Sequence, residues 1–209
     1  MDFVMVAPDD PLALGMVDAL EAAGIPAFGP RANAAILEAS KAFSKELMKK
    51  YHIPTAQYET FTDMEQALSY IRQQGAPIVV KADGLALGKG VVVASTVEEA
   101  EEAVRSMMQD HKFGKSGSTV VIEECMVGPE VTVLAFCDGE HLVPMLSSQD
   151  TSGPMTQSGP QHRPVWGAFC PSPNYHPRPI AAECMEKIFL PTVKAMQAEG
   201  RPFQGVLYF

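Results

Sequence analysis

The sequence predicts a mixed α+β fold, preceded by the last strand–helix–strand of a parallel α/β unit. Three observations carry this. Two apolar runs, Ile78-Val79-Val80 and Val91-Val92-Val93, flank a glycine-rich turn and read as a hairpin. Helices and short strands then follow in the order helix, strand, hairpin, strand, helix, strand, hairpin, without the regular alternation of a doubly wound sheet. The first 30 residues hold one strand, one helix and one extended segment, with no further strands to pair with.

Phe3 to Ala7 reads as the opening strand. Pro8-Asp9-Asp10-Pro11 turns into an amphipathic helix with Leu12, Val17 and Leu20 apolar and Gly24 as its stop. Ile25 to Pro30 is extended. Asn33 to Tyr51 is helical, with Lys41, Lys45, Lys49 and Lys50 set against Phe43, Leu47 and Met48. Thr62-Asp63-Met64-Glu65 is a capping box whose helix stops at Gly75. Pro77 to Lys81 is a strand, and Thr96-Val97-Glu98-Glu99 caps a helix running to about Gln109. Thr119 to Cys125 and Glu130 to Phe136 are strands, and Asp138-Gly139 turns into a strand from His141 to Leu146. Residues 151–179 are rich in Pro, Gly, Ser and Gln and carry no period. Helix returns from Ala181 to Glu199, and Gly205 to Phe209 is a strand. The division expected is a remnant α/β domain at 1–30 and a second domain at 31–209, with an atypical segment at 151–166.

Composition narrows the function. A hydrophobic content of 46% and a charged content of 20% suit an ordinary globular protein. The net charge of -9 argues against non-specific nucleic-acid binding and against an anionic membrane surface. No apolar run reaches membrane-spanning length and no basic-then-apolar leader is present, so a cytoplasmic location is expected. Cys125, Cys137, Cys170 and Cys184 have no Cys-x-x-Cys spacing and no accompanying His cluster, and read as reduced thiols that mostly pack, with a zinc site as the weaker reading. His52, His111 and His141 sit in turns or at strand ends and are assigned no chemistry.

The chemistry concentrates in Lys81-Ala-Asp-Gly-Leu-Ala-Leu-Gly-Lys-Gly90. Glycines let a backbone approach a polyphosphate and aim its N–H groups at the oxygens, and two lysines supply the opposing charge. The stretch reads as a nucleotide phosphate clamp, with a plain hairpin carrying a solvated lysine as the alternative. It is not a Walker A loop. Gly84 and Gly88 enclose three residues instead of four, and Lys89 is followed by Gly90 and a strand instead of Ser or Thr and a helix.

Together with Ser40-Lys41-Ala42-Phe43, Val121-Ile122-Glu123-Glu124 and Ser148-Gln149-Asp150, this stretch resembles the phosphoribosylamine–glycine ligases of the ATP-grasp superfamily. Asp9-Asp10-Pro11-Leu12 and Phe28-Gly29-Pro30 fit the family's N-terminal domain junction. The resemblance implies an incomplete ATP-grasp fold. It implies an ATP-dependent ligase of purine biosynthesis that joins glycine to phosphoribosylamine through a glycyl phosphate. ATP is the implied cofactor, with Mg²⁺ or Mn²⁺ in the complete family.

Carried over by position, Lys41 and Lys81 meet the ATP phosphates, and Gly84, Gly88, Lys89 and Gly90 form the loop over them. Glu123, Glu124, Cys125 and Met126 form the adenine hinge, and Glu130 binds the ribose hydroxyls. Asp10 and Asp150 are weaker substrate candidates. Lys41 is also readable as a solvated helix lysine, and Asp9 and Asp10 as helix caps. Strand alternation turns Glu123 and Glu124 to opposite faces, so one of them is expected to be plain surface.

Two departures from the family pattern stand out. The family follows Ser-Gln-Asp with His-Lys-Arg, whereas Asp150 is followed here by Thr-Ser-Gly-Pro-Met-Thr. GAC CAC AAG CGG GCC TAT GAC encodes the family-like string. Loss of one C after its first codon gives Asp-Thr-Ser-Gly-Pro-Met-Thr, so 151–166 is read as frame-shifted. Source DNA with no His-Lys-Arg in the unshifted reading would end that idea. The family's metal-holding Glu and Asn are expected beyond Phe209, so no metal ligand is expected here. The chain is therefore expected to be an incomplete ligase, inactive by itself and prone to aggregate. The alternatives are a non-catalytic ATP-binding module and another ATP-grasp carboxylate–amine ligase.

Overall fold

The structure is a computed structural model that describes residues 2–85, 90–109, 117–150, 168–174 and 176–209. The chain divides into two compact units, Met1–Val127 and Gly128–Phe209.

In the first unit, β1 (Val4–Met5) pairs in parallel with β2 (Ala27–Phe28), as the strand–helix–strand reading requires. The single helix expected between them is two: α1 (Asp9–Ala13) and α2 (Met16–Ala22). Gly15 separates them at φ +85, a left-handed conformation that costs glycine nothing. The long helix expected at 33–51 is likewise two, α3 (Ala32–Ala39) and α4 (Lys41–Lys50). Ser40 between them is extended, at φ -137, and its hydroxyl accepts from the Phe43 amide as N-cap of α4.

A four-stranded antiparallel sheet follows. It comprises β3 (Tyr58–Phe61), β4 (Ile78–Ala82), β5 (Val91–Ala94) and β6 (Val120–Glu124), in the order β3-β6-β4-β5. The strand β3 was not foreseen. Its Tyr-Glu-Thr-Phe sequence is strand-compatible but too short to stand out beside a capping box. The helices α5 (Met64–Gln74) and α6 (Val97–Met108) bury one face of this sheet. That core holds Leu68, Ile71, Val80, Val104, Met107, Val120 and Ile122. Thr62 does not cap α5. Asp63 does, its carboxylate accepting from the Gln66 amide at 2.8 Å. Thr96 caps α6 as expected, through the Glu99 amide at 3.2 Å, while Glu99 reaches back to the Ser95 amide.

Alternation sets what the other sheet face carries. Ile78, Val80 and Ala82 belong to the helix-covered core, so Val79 and Lys81 point the opposite way. In β6, Val120 and Ile122 belong to that core, so Val121 and Glu123 share the face of Lys81. The register pairs Lys81 with Val121 and Val79 with Glu123, which makes Lys81 and Glu123 diagonal neighbours.

In the second unit, β7 (Leu134–Cys137) and β8 (Leu142–Pro144) form a hairpin, and β11 (Gly205–Tyr208) pairs on the far side of β7. Both hairpin strands are shorter than expected, Thr132 bridging only singly to Ser148. A small ladder joins β9 (Gln149–Asp150) to β10 (Ala168–Phe169), a strand that the composition of 151–179 did not disclose. Helix α7 (Pro177–Cys184) starts earlier than expected and continues through a π-helical turn, Met185–Phe189, into α8 (Leu190–Ala198). The atypical segment 151–166 lies outside the described residues.

Candidate functional site

The residues on the free face of the four-stranded sheet meet α4. Lys81 Nζ lies 2.9 Å from Glu123 Oε2, and Lys45 Nζ of α4 lies 3.3 Å from Glu123 Oε1. Glu123 and Lys45 are buried, their side chains 6% and 9% exposed, whereas Lys81 keeps 28% of its side chain exposed. Glu123 therefore sits between two ammonium groups, one enclosed and one open to a ligand. Lys45 also donates to Thr55 Oγ1 at 2.7 Å and lies over the Tyr58 ring at 5.4 Å. The 3.3 Å approach of Lys45 is a charge contact of poor hydrogen-bond direction. Glu123 Oε1 is thus a buried acceptor with no hydrogen-bond partner among the described residues.

Lys41 is the first residue of α4, and its Nζ donates to the Gly84 carbonyl at 3.3 Å. Burial pushes its pKa below the ordinary lysine value, with Lys81 adding repulsion and Glu38, Asp83 and Glu123 partly opposing. Burial lowers the Lys45 pKa as well, against the pull of Glu123. Gly90 closes the loop's far end by accepting from the Ala82 amide at 2.8 Å. Lys41, Lys81, Gly84 and Gly90 therefore belong to the first unit, with Lys41 and Gly84 in contact. Gly88 and Lys89 lie outside the described residues.

The residues expected at the hinge divide as alternation required. Glu123 points inward, while Glu124 is exposed and its Oε1 accepts from the Gln57 amide at 2.9 Å. Cys125 is half-buried and Met126 is exposed. Glu130, exposed, and Asp150 belong to the second unit. Asp10 is exposed in the first turn of α1, but neither it nor Asp9 caps that helix. The N-cap position is Pro8, with no side-chain cap, so both aspartates only complement the helix dipole.

Sequence reasoning missed Lys45 and Asp83 as site residues. Lys45 had a signal, since it follows Lys41 by four residues and so shares its helix face. Among the described residues no three His, Cys, Asp or Glu side chains converge as a metal centre. No described helix is long and apolar enough to cross a membrane.

Solved structures share this arrangement of chain. A biotin carboxylase–β-γ-ATP complex from Campylobacter jejuni superposes with a TM-score of 0.74 at 17% identity, over all of this chain and 45% of that one. A D-alanyl-alanine synthetase from Vibrio cholerae gives 0.69 at 18%, over 100% and 62%. The fold is that of the ATP-grasp proteins. A phosphoribosylamine–glycine ligase from Thermotoga maritima gives 0.76 at 29% identity, over 100% of this chain and 50% of that chain. Residues 39–209 match the phosphoribosylglycinamide synthetase ATP-grasp (A) domain and residues 1–38 its N domain. The chain belongs to the phosphoribosylglycinamide synthetase family. Phosphoribosylamine–glycine ligases from Vibrio vulnificus and Streptococcus pyogenes are each 49% identical over 208 residues. The chain spans about half the length of these curated relatives, 48% and 49%.

Proposed function

We propose that this chain carries the ATP-holding part of a ligase that joins glycine to phosphoribosylamine in purine biosynthesis. The observation that carries the reading is the gathering of Lys41, Lys81 and Glu123 at the root of the glycine loop. Lys41 and Lys81 hold the polyphosphate, and Gly84 and Gly90 mark the two ends of the loop beside it. Glu123 holds Lys81 by one oxygen and Lys45 by the other, and backbone groups of the Glu123–Met126 hinge are assigned to the adenine edge. Glu130 is assigned to the ribose hydroxyls, and Asp10 and Asp150 to substrates.

In the reaction proposed for the whole protein, a glycine carboxylate oxygen takes the γ-phosphoryl group of ATP, giving glycyl phosphate and ADP. The phosphoribosylamine nitrogen then attacks the carbonyl carbon, phosphate leaves with its bonding electrons, and the nitrogen gives up one proton to solvent. In the phosphoryl-transfer step negative charge lies on phosphate oxygens, and fixed ammonium groups such as Lys41 and Lys81 stabilise it without reorganising. The substrates are small molecules, and the place of action is the cytoplasm.

ADP release measured with ATP, glycine and phosphoribosylamine, beside direct ATP binding, tests this reading. ATP binding by this chain is the expected result, together with ADP release that requires both substrates in the family's whole enzyme. Release driven by another carboxylate–amine pair would assign a different ligase. Failure to bind ATP would remove the reading.

A further inference from the structure

An acidic residue inside a phosphate loop is out of place on charge grounds, yet Asp83 stands between Lys81 and Gly84. Its contacts explain it. Asp83 Oδ1 accepts from the Ala42 amide at 2.7 Å and from the Ser40 hydroxyl at 3.0 Å. Its carbonyl accepts from the Lys41 amide at 3.1 Å, and its own amide donates to the Thr119 carbonyl at 3.0 Å. The first three amides of α4 are thereby satisfied, at Lys41 and Ala42 by Asp83 and at Phe43 by Ser40. The carboxylate faces the positive end of the helix and not the loop's ligand side.

We propose that Asp83 is a positioning residue for nucleotide binding that acts through Lys41. It fastens the root of the glycine loop to the start of α4. The same fastening sets the Lys41 backbone so that its Nζ reaches the Gly84 carbonyl at 3.3 Å. Lys41 and Lys81 come from elements 40 residues apart in the chain, and Asp83 ties the first to the strand that carries the second. A side effect is that the N-terminus of α4 is already occupied by a carboxylate and is closed to phosphate. The proposal rests on the ATP reading above for its consequence and on the Asp83 contacts for its geometry.

Two measurements on the 209-residue chain test it. Amide hydrogen exchange at Ala42 should speed up about tenfold or more in Asp83→Ala and be restored toward the original rate in Asp83→Asn, which keeps an acceptor oxygen. Unchanged exchange at Ala42 in Asp83→Ala would overturn the anchor. Affinity for a non-hydrolysable ATP analogue should fall about five- to thirtyfold in Asp83→Ala, with recovery in Asp83→Asn. The Asp83→Ala loss should shrink to within about twofold when Lys41 is already methionine, because both changes remove one contribution. Full additivity of Asp83→Ala and Lys41→Met would mean that Asp83 serves stability alone, and would overturn the proposal. An unaltered chain that binds no analogue would count against the ATP reading, and exchange at Ala42 would still decide the anchor.

Discussion

Glu123 shows how much one buried carboxylate can decide. It lies against Lys45 and Lys81 with 6% of its side chain exposed. Removing it leaves the enclosed Lys45 uncompensated, and breaking such a pair costs about 3 kcal/mol or more. Glu123→Ala should therefore lower stability by roughly that amount in urea denaturation. The double replacement Glu123→Leu with Lys45→Met should recover most of the loss. A single-variant loss below about 0.5 kcal/mol would show that the buried contact carries no weight. Lys41 makes a second residue-scale prediction. Burial lowers its pKa below the ordinary lysine value, so it loses its proton at a lower pH than an ordinary lysine. A neutral amine cannot pair with phosphate, so nucleotide affinity should decline at a pH below that of an ordinary lysine. Lys41→Arg should abolish that early decline, because guanidinium stays charged. A titration whose high-pH limb is unchanged by Lys41→Arg would contradict this.

Elements were legible where composition and period agreed, and less so where a single residue broke them. The glycine hairpin, the helices α5 and α6 and the strand β6 follow from apolar runs and caps in the sequence. The breaks at Gly15 and Ser40 did not, because apolar periodicity continues across both while the backbone does not. The cap of α5 moved from Thr62 to Asp63 because a carboxylate beside the first turn gains from the helix dipole as well as from the amide. Asp63→Ala should thus cost about 1 kcal/mol, measured by thermal or urea unfolding, and Thr62→Ala much less. The turn between β7 and β8 gives a pH test. The His141 and Glu140 amides hold the Asp138 carboxyl at a pKa of about 2, below the ordinary 3.8. A depressed carboxylate stabilises the fold above its unfolded pKa and loses that contribution as pH falls through the folded one. The protection factors for amide exchange at Glu140 and His141, measured against the unstructured rate at each pH, should therefore hold at neutral pH and fall between about pH 4 and pH 2. Asp138→Asn should blunt that dependence.

At the scale of the whole molecule, family and fold were readable because short motifs kept their order over most of the chain. Motif alone nominates Lys81, Lys41 and Gly84 for the site, and the structure brings Lys41 and Gly84 into contact. The inward turn of Glu123 followed from strand alternation once the register was known. Lys45 and Asp83 were not readable as site residues, because their roles depend on α4 packing beside the sheet, a contact between segments far apart in sequence. The reading of 151–166 as frame-shifted stands outside the described residues, and source DNA decides it. The chain spans about half the length of the curated relatives, and nucleotide holding is the part of the proposed activity assigned to it. Isothermal titration of the unaltered chain and of Lys81→Ala with a non-hydrolysable ATP analogue tests that claim most directly. The account predicts saturable binding by the unaltered chain and a loss of about tenfold or more on removing the Lys81 ammonium. Equal affinity of the two proteins, or no binding by either, would contradict it.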